Sequence, residues 1–383
     1  MQTFDAVVLG LGTMGSFTCL ELAARGLRVA GFDAFSPPHA KGSHSGDTRV
    51  FRVAYAEHPD YVPLAQRAGK LWEHYAKEFG KPLLTLSGML NIGRPGSDLI
   101  AGIHRSALAH HLTVEELSLD EIHRRYPAFA PPEGSVGIFE HTAGWLDVPA
   151  SIEGALKAAG ARGASIFPDS PVAGWTARGG RILLETPRGT IETAGLVITA
   201  GARAGALLDD LQLPLTIRRK TLTWIDPRQP EKFSPDVFPV FAIADDFFYG
   251  FPDIAGQGVK LAIHWEKKNI SADPFGYVPP AGEDDFTPVI RMANRYLPGL
   301  TDPLPEGLLR VRRGATCLYT MTPDEHFILD RHPEFENVWI AAGFSGHGFK
   351  FAPTIAEALA QLCTQGKTDL PVEFLRIGRR FQA

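Results

Sequence analysis

Near the C-terminus, the six residues Gly343-Phe344-Ser345-Gly346-His347-Gly348 carry three glycines, and Lys350 follows closely. Such a run lets backbone approach a flat ligand where a Cβ would stand in the way, and it aims His347 and Lys350 at whatever is held there. The N-terminus has a counterpart in Gly10-Leu11-Gly12-Thr13-Met14-Gly15, set between an apolar strand, Phe4 to Leu9, and a helical pattern that begins at Ser16. Gly10 permits the tight turn, Gly12 admits a pyrophosphate, and Gly15 lets the helix pack on the strand, while the helix N-terminus offers partly positive N–H groups. The next strand, Leu27 to Phe32, ends at Asp33. That acid stands about 20 residues beyond the glycines, where a carboxylate accepts hydrogen bonds from a ribose. Strand, glycines, helix and acid together form the dinucleotide fingerprint in the context that makes it meaningful. The two glycine-rich stretches imply a flavin held between the two ends of the chain.

The charged residues suggest what such a ligand would meet. After Asp33 the chain departs from a simple βαβ unit and runs through a long polar loop, Ser36 to Arg52, with Arg49 and Arg52 three residues apart. On a helical turn that spacing puts both guanidiniums on one face, suited to anionic groups, although a solvated basic turn has the same composition. Lys260 and His264 are four apart in a strand-like run, hence on one face. Cys317 sits in an apolar β-like run; a thiolate there would be a nucleophile, and a thiol there is a small inert core residue. Arg312 and Arg313 are the basic neighbours that would favour the thiolate. Cys19 and Cys363 fall in helical patterns and read as core.

These residues need a scaffold from several parts of the chain. Helices are expected from Asp60 to Phe79, Asp98 to His111, Trp145 to Arg162 (entered at Pro149) and Pro288 to Tyr296, with a Ser118/Glu121 capping box opening a shorter one. Val172 to Ala194 contains two hairpin signals, Gly179-Gly180 and Pro187-Arg188-Gly189, and reads as a three-stranded meander. Leu196 to Ala200 then returns as a separate buried strand whose closing Gly201 again permits close approach. Gly88 to Ile92, Gly137 to Glu140, Thr216 to Asp226, Val240 to Ala244, Phe248 to Phe251 and Val259 to His264 supply further strands, the last four suggesting a mainly antiparallel second sheet. The expected architecture is α/β with two domains. A discontinuous Rossmann-like nucleotide-binding domain with a parallel sheet and the meander would span 1–85, 146–212 and 312–383. An inserted, mainly antiparallel substrate domain with flanking helices would span 86–145 and 213–311. Interleaving of this kind leaves the site at the domain boundary.

Composition narrows the classes. A chain of 383 residues suits about two domains, and 44% hydrophobic with 21% charged residues is ordinary for a globular protein. A net charge of −5 gives no basic footprint for nucleic acid, and no apolar run has the length of a membrane span. With no signal-peptide pattern, the cytoplasm is the expected location. Three scattered cysteines make neither a disulfide framework nor a zinc cluster, so no metal is expected.

The stretches VVLGLGTMGSFTCLELAARG, GSHSGDTRVFRVAY, YGFP, GVKLAIH, CLYTMTPDEHFILD and GFSGHGFKFAPTIAEAL resemble the monomeric sarcosine oxidase and N-methyl-L-tryptophan oxidase group. These are FAD-dependent amine oxidases of the D-amino-acid-oxidase-like superfamily. The likeness runs from about residue 4 to about residue 375 in unbroken order. It implies FAD carried covalently by Cys317 through a thioether to the flavin 8α-methyl. Cofactor contacts would come from Gly10, Gly12, Thr13, Met14, Gly15, Asp33, Ser43, Ser45, Thr48, Arg49, Val172, Gly201, Gly343, Gly346, His347, Gly348 and Lys350. Arg52 and Lys350 look like the pair that fixes a substrate carboxylate, Arg49 like a cation beside the flavin, and Lys260 like the lysine of oxygen activation. Tyr249, His264 and His347 look like borders of the substrate site. The implied reaction is oxidation of a secondary amino acid to an imine that hydrolyses, with dioxygen reduced to hydrogen peroxide by a monomer. The chain departs from the group at Ser45, where a second histidine is usual, at Arg203, where a tryptophan is common, and at Phe51 and Val53 beside Arg52.

Three competing readings share parts of this pattern. A dehydrogenase of the same fold would pass electrons to an acceptor other than dioxygen, which Lys260 disfavours. A non-catalytic flavin-binding module would need only the glycines and Asp33, and so leaves Arg52, Lys260 and Lys350 unexplained. A nicotinamide enzyme fits poorly with the discontinuous domain and the Cys317 segment.

Overall fold

The computed structural model describes residues 2–265, 269–270, 281–300 and 311–381. Two large sheets dominate it. The first has eight strands, with the order Trp175–Arg178, Arg181–Thr186, Gly189–Ile198, Gln2–Leu9, Val29–Phe32, Ser165–Phe167. Val338–Ala342 also pairs with Gly189–Ile198 and carries Ile328–Arg331 at its side. Five of these strands are parallel neighbours drawn from both ends of the chain: 2–9, 29–32, 165–167, 189–198 and 338–342. Apart from the edge strand 165–167, their apolar runs are buried on both faces, as a sheet covered on both sides requires. The helices Thr13–Ala24, Val148–Ala161 and Ala352–Gln365 cover one face, where Phe17, Ile152 and Ile355 share a core.

Gly189–Ile198 is one strand of ten residues, whereas the sequence suggested a meander strand followed by a separate buried one. Its first half pairs antiparallel with Arg181–Thr186 and its second half parallel with Val338–Ala342, so one strand serves both ladders. No turn residue stands between Ala194 and Leu196 except Gly195, whose missing Cβ leaves room for the Trp339 ring.

The second sheet has nine strands, and every pairing is antiparallel except that of Val240–Ile243 with Met89–Gly93. The helix Glu283–Tyr296 lies against it and contributes Val289, Ile290 and Tyr296 to a separate core. This helix begins earlier than the expected Pro288, which sits in its second turn and so leaves the Asp284 carbonyl without its usual helical donor. The long strand Val311–Met321 pairs with Thr216–Ile225. The stretch that carries Cys317 therefore belongs to the second sheet, although it falls in the terminal segment drawn with the nucleotide domain.

Two shorter expectations change for the same reason, namely tertiary pairing. Thr48–Phe51 is a strand paired with Gly144–Asp147, so Arg49 and Arg52 do not share a helical face. The helix expected from Trp145 starts only at Val148, because Gly144–Asp147 completes that pairing. Asp147 then caps the helix by accepting the N–H of Ala150 at 2.8 Å.

Candidate active site

A cleft enclosing about 1480 Å³, its mouth included, opens where the parallel strands end, at Leu9, Phe32 and Thr199. Ligands of open α/β sheets bind at such carboxyl ends. The glycine turn is fixed by packing: Gly10 has φ +91°, a Cβ on it would come 2.6 Å from the Thr199 carbonyl oxygen, and a Cβ on Gly15 would come 1.8 Å from the Gly10 oxygen. The helix that follows has no side-chain cap and no acid in its first turn, which leaves its N–H groups for an anion. Gly201 has φ +55°, and a Cβ there would meet only Ser43 Oγ at 3.9 Å, so the floor beside it is open.

Asp33 lines the cleft, its Oδ2 accepting the Leu11 N–H at 2.7 Å and its Oδ1 the Phe35 N–H at 2.9 Å. His39 Nε2 lies 3.4 Å from Oδ1. Burial pushes this carboxyl's pKa up, but the His39 hydrogen bond and the backbone donors outweigh it and hold it below its ordinary value. Lys41, Arg49 and Arg203 place positive charge along the same walls. Uncapped helix, ionised acid, open glycine floor and basic walls fit a dinucleotide diphosphate such as FAD.

A smaller cavity of about 600 Å³ adjoins the cleft and shares Arg49, Tyr319, Gly346 and Phe349 with it. Arg52 enters from just beyond the Thr48–Phe51 strand. Its Nη2 donates to Glu57 Oε2 at 2.7 Å, and its guanidinium lies 4.1 Å from the Tyr55 ring centroid. Nη1 is buried and has no hydrogen-bond partner among the described residues. Lys350 comes from the other end of the chain, its Nζ donating to the His347 carbonyl at 2.8 Å and to Tyr55 Oη at 3.3 Å. Burial pushes its pKa well below the ordinary lysine value, and Arg52 pushes the same way. Burial pushes Glu57 the other way, upward, but Arg52 outweighs that and holds its carboxyl well below the usual range.

His347 Nε2 faces the Glu325 carbonyl at 3.0 Å, so it carries the proton, and Nδ1 accepts from Tyr55 Oη at 2.6 Å. Both ring nitrogens are thereby committed. His264 Nδ1 lies 3.3 Å from Tyr319 Oη. Burial pushes both imidazoles down to about 3. Tyr249 is half-buried beside Tyr319, and desolvation raises its pKa. Met89, Phe247 and Phe251 complete an apolar wall.

Of the residues read as cofactor-binding, Gly10, Gly12, Thr13, Met14, Asp33, Ser43, Arg49, Val172, Gly201, Gly346 and Gly348 line the cleft. His347 and Lys350 line only the smaller cavity, and Thr48 lines the smaller cavity and a third opening. Gly15 and Gly343 serve packing, since a Cβ on Gly343 would come 2.5 Å from Thr322 Cγ2. Ser45 turns its carbonyl to Arg49, 2.6 Å from Nη2. Cys317 sits behind the wall: its Sγ donates to the Ser43 carbonyl at 3.2 Å and lies 3.2 Å from Arg49 Nη2. The basic neighbours expected from sequence are elsewhere. Arg312 binds Asp226, and Arg313 pairs with Asp47 and stacks 3.9 Å from the Trp224 centroid.

Lys260 and His264 open into different spaces. The Lys260 ammonium donates to the carbonyl and hydroxyl of Thr48 at 2.7 and 3.1 Å, and it lines the third opening with Asp47, Trp224 and Arg313. Burial, with Arg49 second, pushes its pKa well below the ordinary value. Tyr55, Glu57 and Tyr319 escaped the sequence reading. Tyr319 had a signal, because it lies two residues beyond Cys317 in one strand and so on the same face. Glu57 had none, since a turn brings it back to Arg52.

Comparison with known proteins agrees with this geometry. The family described as FAD dependent oxidoreductase matches residues 5–362. Monomeric sarcosine oxidase of Bacillus sp. (strain B-0618) is 38% identical, covering 98% of this chain and 96% of that one. N-methyl-L-tryptophan oxidase of Yersinia pestis (strain Pestoides F) is 32% identical, covering 98% and 99%. Among solved structures, NikD, an amino acid oxidase of nikkomycin biosynthesis, has a TM-score of 0.85 at 21% identity, over 98% of each chain.

Proposed function

The chain belongs to the FAD dependent oxidoreductase family, and on that premise we propose that it oxidises a secondary amino acid, N-methylated or cyclic, to an imine that hydrolyses, with dioxygen reduced to hydrogen peroxide. The observation that carries this reading is the pair Arg52 and Lys350. A buried guanidinium nitrogen without a partner among the described residues and an ammonium with two of its three donors used there meet in a cavity that shares a wall with the cofactor cleft. A carboxylate bridging them would satisfy both cations and restore the charge that burial disfavours on Lys350. Its amine-bearing carbon would then be held against the shared wall, where orientation is what accelerates the step. Bound FAD supplies the two-electron acceptor for the C–H bond beside nitrogen.

The remaining residues prepare the pocket. His264 and His347, both near 3, are poor bases at neutral pH; they shape the cavity and add no positive charge to repel an amine. Arg49 spans both spaces and is the cation proposed to sit beside the flavin. Lys260 is the residue proposed to assist dioxygen: burial disfavours its charge, and negative charge developing beside it would favour the ammonium. Cys317 is proposed to carry FAD through a thioether, and the chain is proposed to work as a cytoplasmic monomer. Among the described residues no helix is long and apolar enough to cross a membrane.

The test is peroxide release and anaerobic bleaching of the bound flavin with sarcosine, N-methyltryptophan, pipecolate and proline. At least one should bleach it, and the reduced protein should be reoxidised faster by dioxygen than by an artificial acceptor. If an amine lacking a carboxylate is oxidised while none of these is, the reading of Arg52 and Lys350 fails. Acid precipitation should leave yellow colour in the pellet of the wild type and in the supernatant of Cys317→Ser; colour in the variant's pellet rules out the thioether.

A further inference from the structure

Glu140 ends the Val136–Glu140 strand, is 2% exposed, and has no part in the chemistry above. Both of its oxygens are taken by the backbone that carries Arg52. Oε1 accepts the Val53 N–H at 2.6 Å and Oε2 the Ala54 N–H at 3.1 Å, across 87 and 86 residues of chain, and Thr142 Oγ1 adds a donor to Oε1 at 3.0 Å. The Thr48–Phe51 strand has already ended at this point, so no ladder serves those two N–H groups. Left alone in a buried segment they would be orphaned donors. The helix Asp98–His110 also braces this segment: Ser106 Oγ donates to the Tyr55 carbonyl, and a Cβ on Gly102 would come 2.2 Å from the Ala56 oxygen.

We propose that Glu140 is a positioning residue for the substrate carboxylate, holding Val53 and Ala54 so that Arg52 enters the cavity with Nη1 left for a ligand. An amide cannot do this in the same place, because the two N–H groups meet different oxygens of Glu140 and in glutamine one of them would face the NH2, itself a donor. Charge acts in both directions: a buried carboxylate near Arg52 repels an incoming one, yet it also favours the charged form of Lys350, so dependence on Arg52 and not the sign of the change isolates positioning.

The inference rests on Arg52 as carboxylate ligand, and the experiment separates the two claims. Acetate, a carboxylate with no amine to oxidise, is titrated into the holoenzyme and read from the flavin absorbance. Glu140→Gln should weaken acetate about tenfold, the cost of one buried donor left without a partner. Arg52→Met should weaken it more, and the double variant should match Arg52→Met alone, which a general structural defect would not produce. Unchanged or tighter acetate binding in Glu140→Gln overturns the proposal, and so does additivity in the double variant. An Arg52→Met protein that binds acetate normally defeats the carboxylate reading itself. If Glu140→Gln does not fold, Thr142→Val keeps both backbone bonds and should weaken acetate by about twofold, roughly half a kcal/mol; no change there also overturns the proposal.

Discussion

Arg52 and Lys350 are assigned one task but bring different chemistry to it. The guanidinium is held by Glu57 and Tyr55 and offers one nitrogen in a fixed direction, whereas the ammonium is pushed by burial toward its neutral form. Arg52→Met should therefore raise KM for the amino acid by about tenfold to a hundredfold, the worth of one hydrogen bond to a charged group. Arg52→Lys should not restore it, because a point charge cannot keep Glu57 and a ligand on separate nitrogens. Lys350→Met should also lower kcat, since Lys350 holds Tyr55 and through it the His347 ring; a change confined to KM in steady-state assays would contradict that chain of contacts. Residues of this kind were legible where type and neighbours spoke together, as with Lys350 after its glycine turn. Glu57 and Glu140 were not legible, because what matters in each is a turn or a contact across the chain that no local pattern records.

The glycine turn between Gln2–Leu9 and Thr13–Ala24 concentrates its constraint at Gly15. There a Cβ would stand 1.8 Å from the Gly10 oxygen and 2.6 Å from Thr199 Oγ1, and neither neighbour is the end of a flexible side chain. Gly15→Ala should push the helix off the strand, costing roughly 1–3 kcal/mol by overpacking. It should also release FAD, or leave it reducible but weakly held if Cys317 carries it; a variant with wild-type thermal midpoint and flavin content would mean that the helix has room to move. This unit was readable from sequence because all its information is local: apolar strand, spaced glycines, helix, acid. The elements that were misread depend on distant partners. Trp145 lies in a strand because Thr48–Phe51 pairs with it, and Gly189–Ile198 runs on as one strand because Val338–Ala342 arrives beside its second half.

Across the molecule, the two sheets meet at the cofactor cleft, with Leu318, Tyr319 and Thr320 of the second sheet closing the walls built by the first. That arrangement buries titratable groups at the junction, and their cost can be measured. Burial pushes His44, His264 and His347 each down to about 3, from 6.5 in an unfolded chain. Between those values the unfolded chain binds a proton at each imidazole that the folded protein refuses, so acid favours unfolding. The stability concerned is fully present above pH 6.5 and is lost progressively as pH falls toward 3. Each imidazole contributes a slope of at most about 1.4 kcal/mol per pH unit in that window. Glu57 and Asp33, with depressed carboxyl pKa values, push the same way only at lower pH, because their stabilisation is lost as pH falls from the unfolded carboxylate value. Urea midpoints taken at pH 7, 6 and 5 should therefore fall steadily, and His264→Asn should flatten the decline by about one imidazole's share. Midpoints that hold level from pH 7 to 5 would mean that the junction admits enough water to let these rings take up protons in the folded protein, and the cavity between the sheets would then be wetter than its apolar walls suggest.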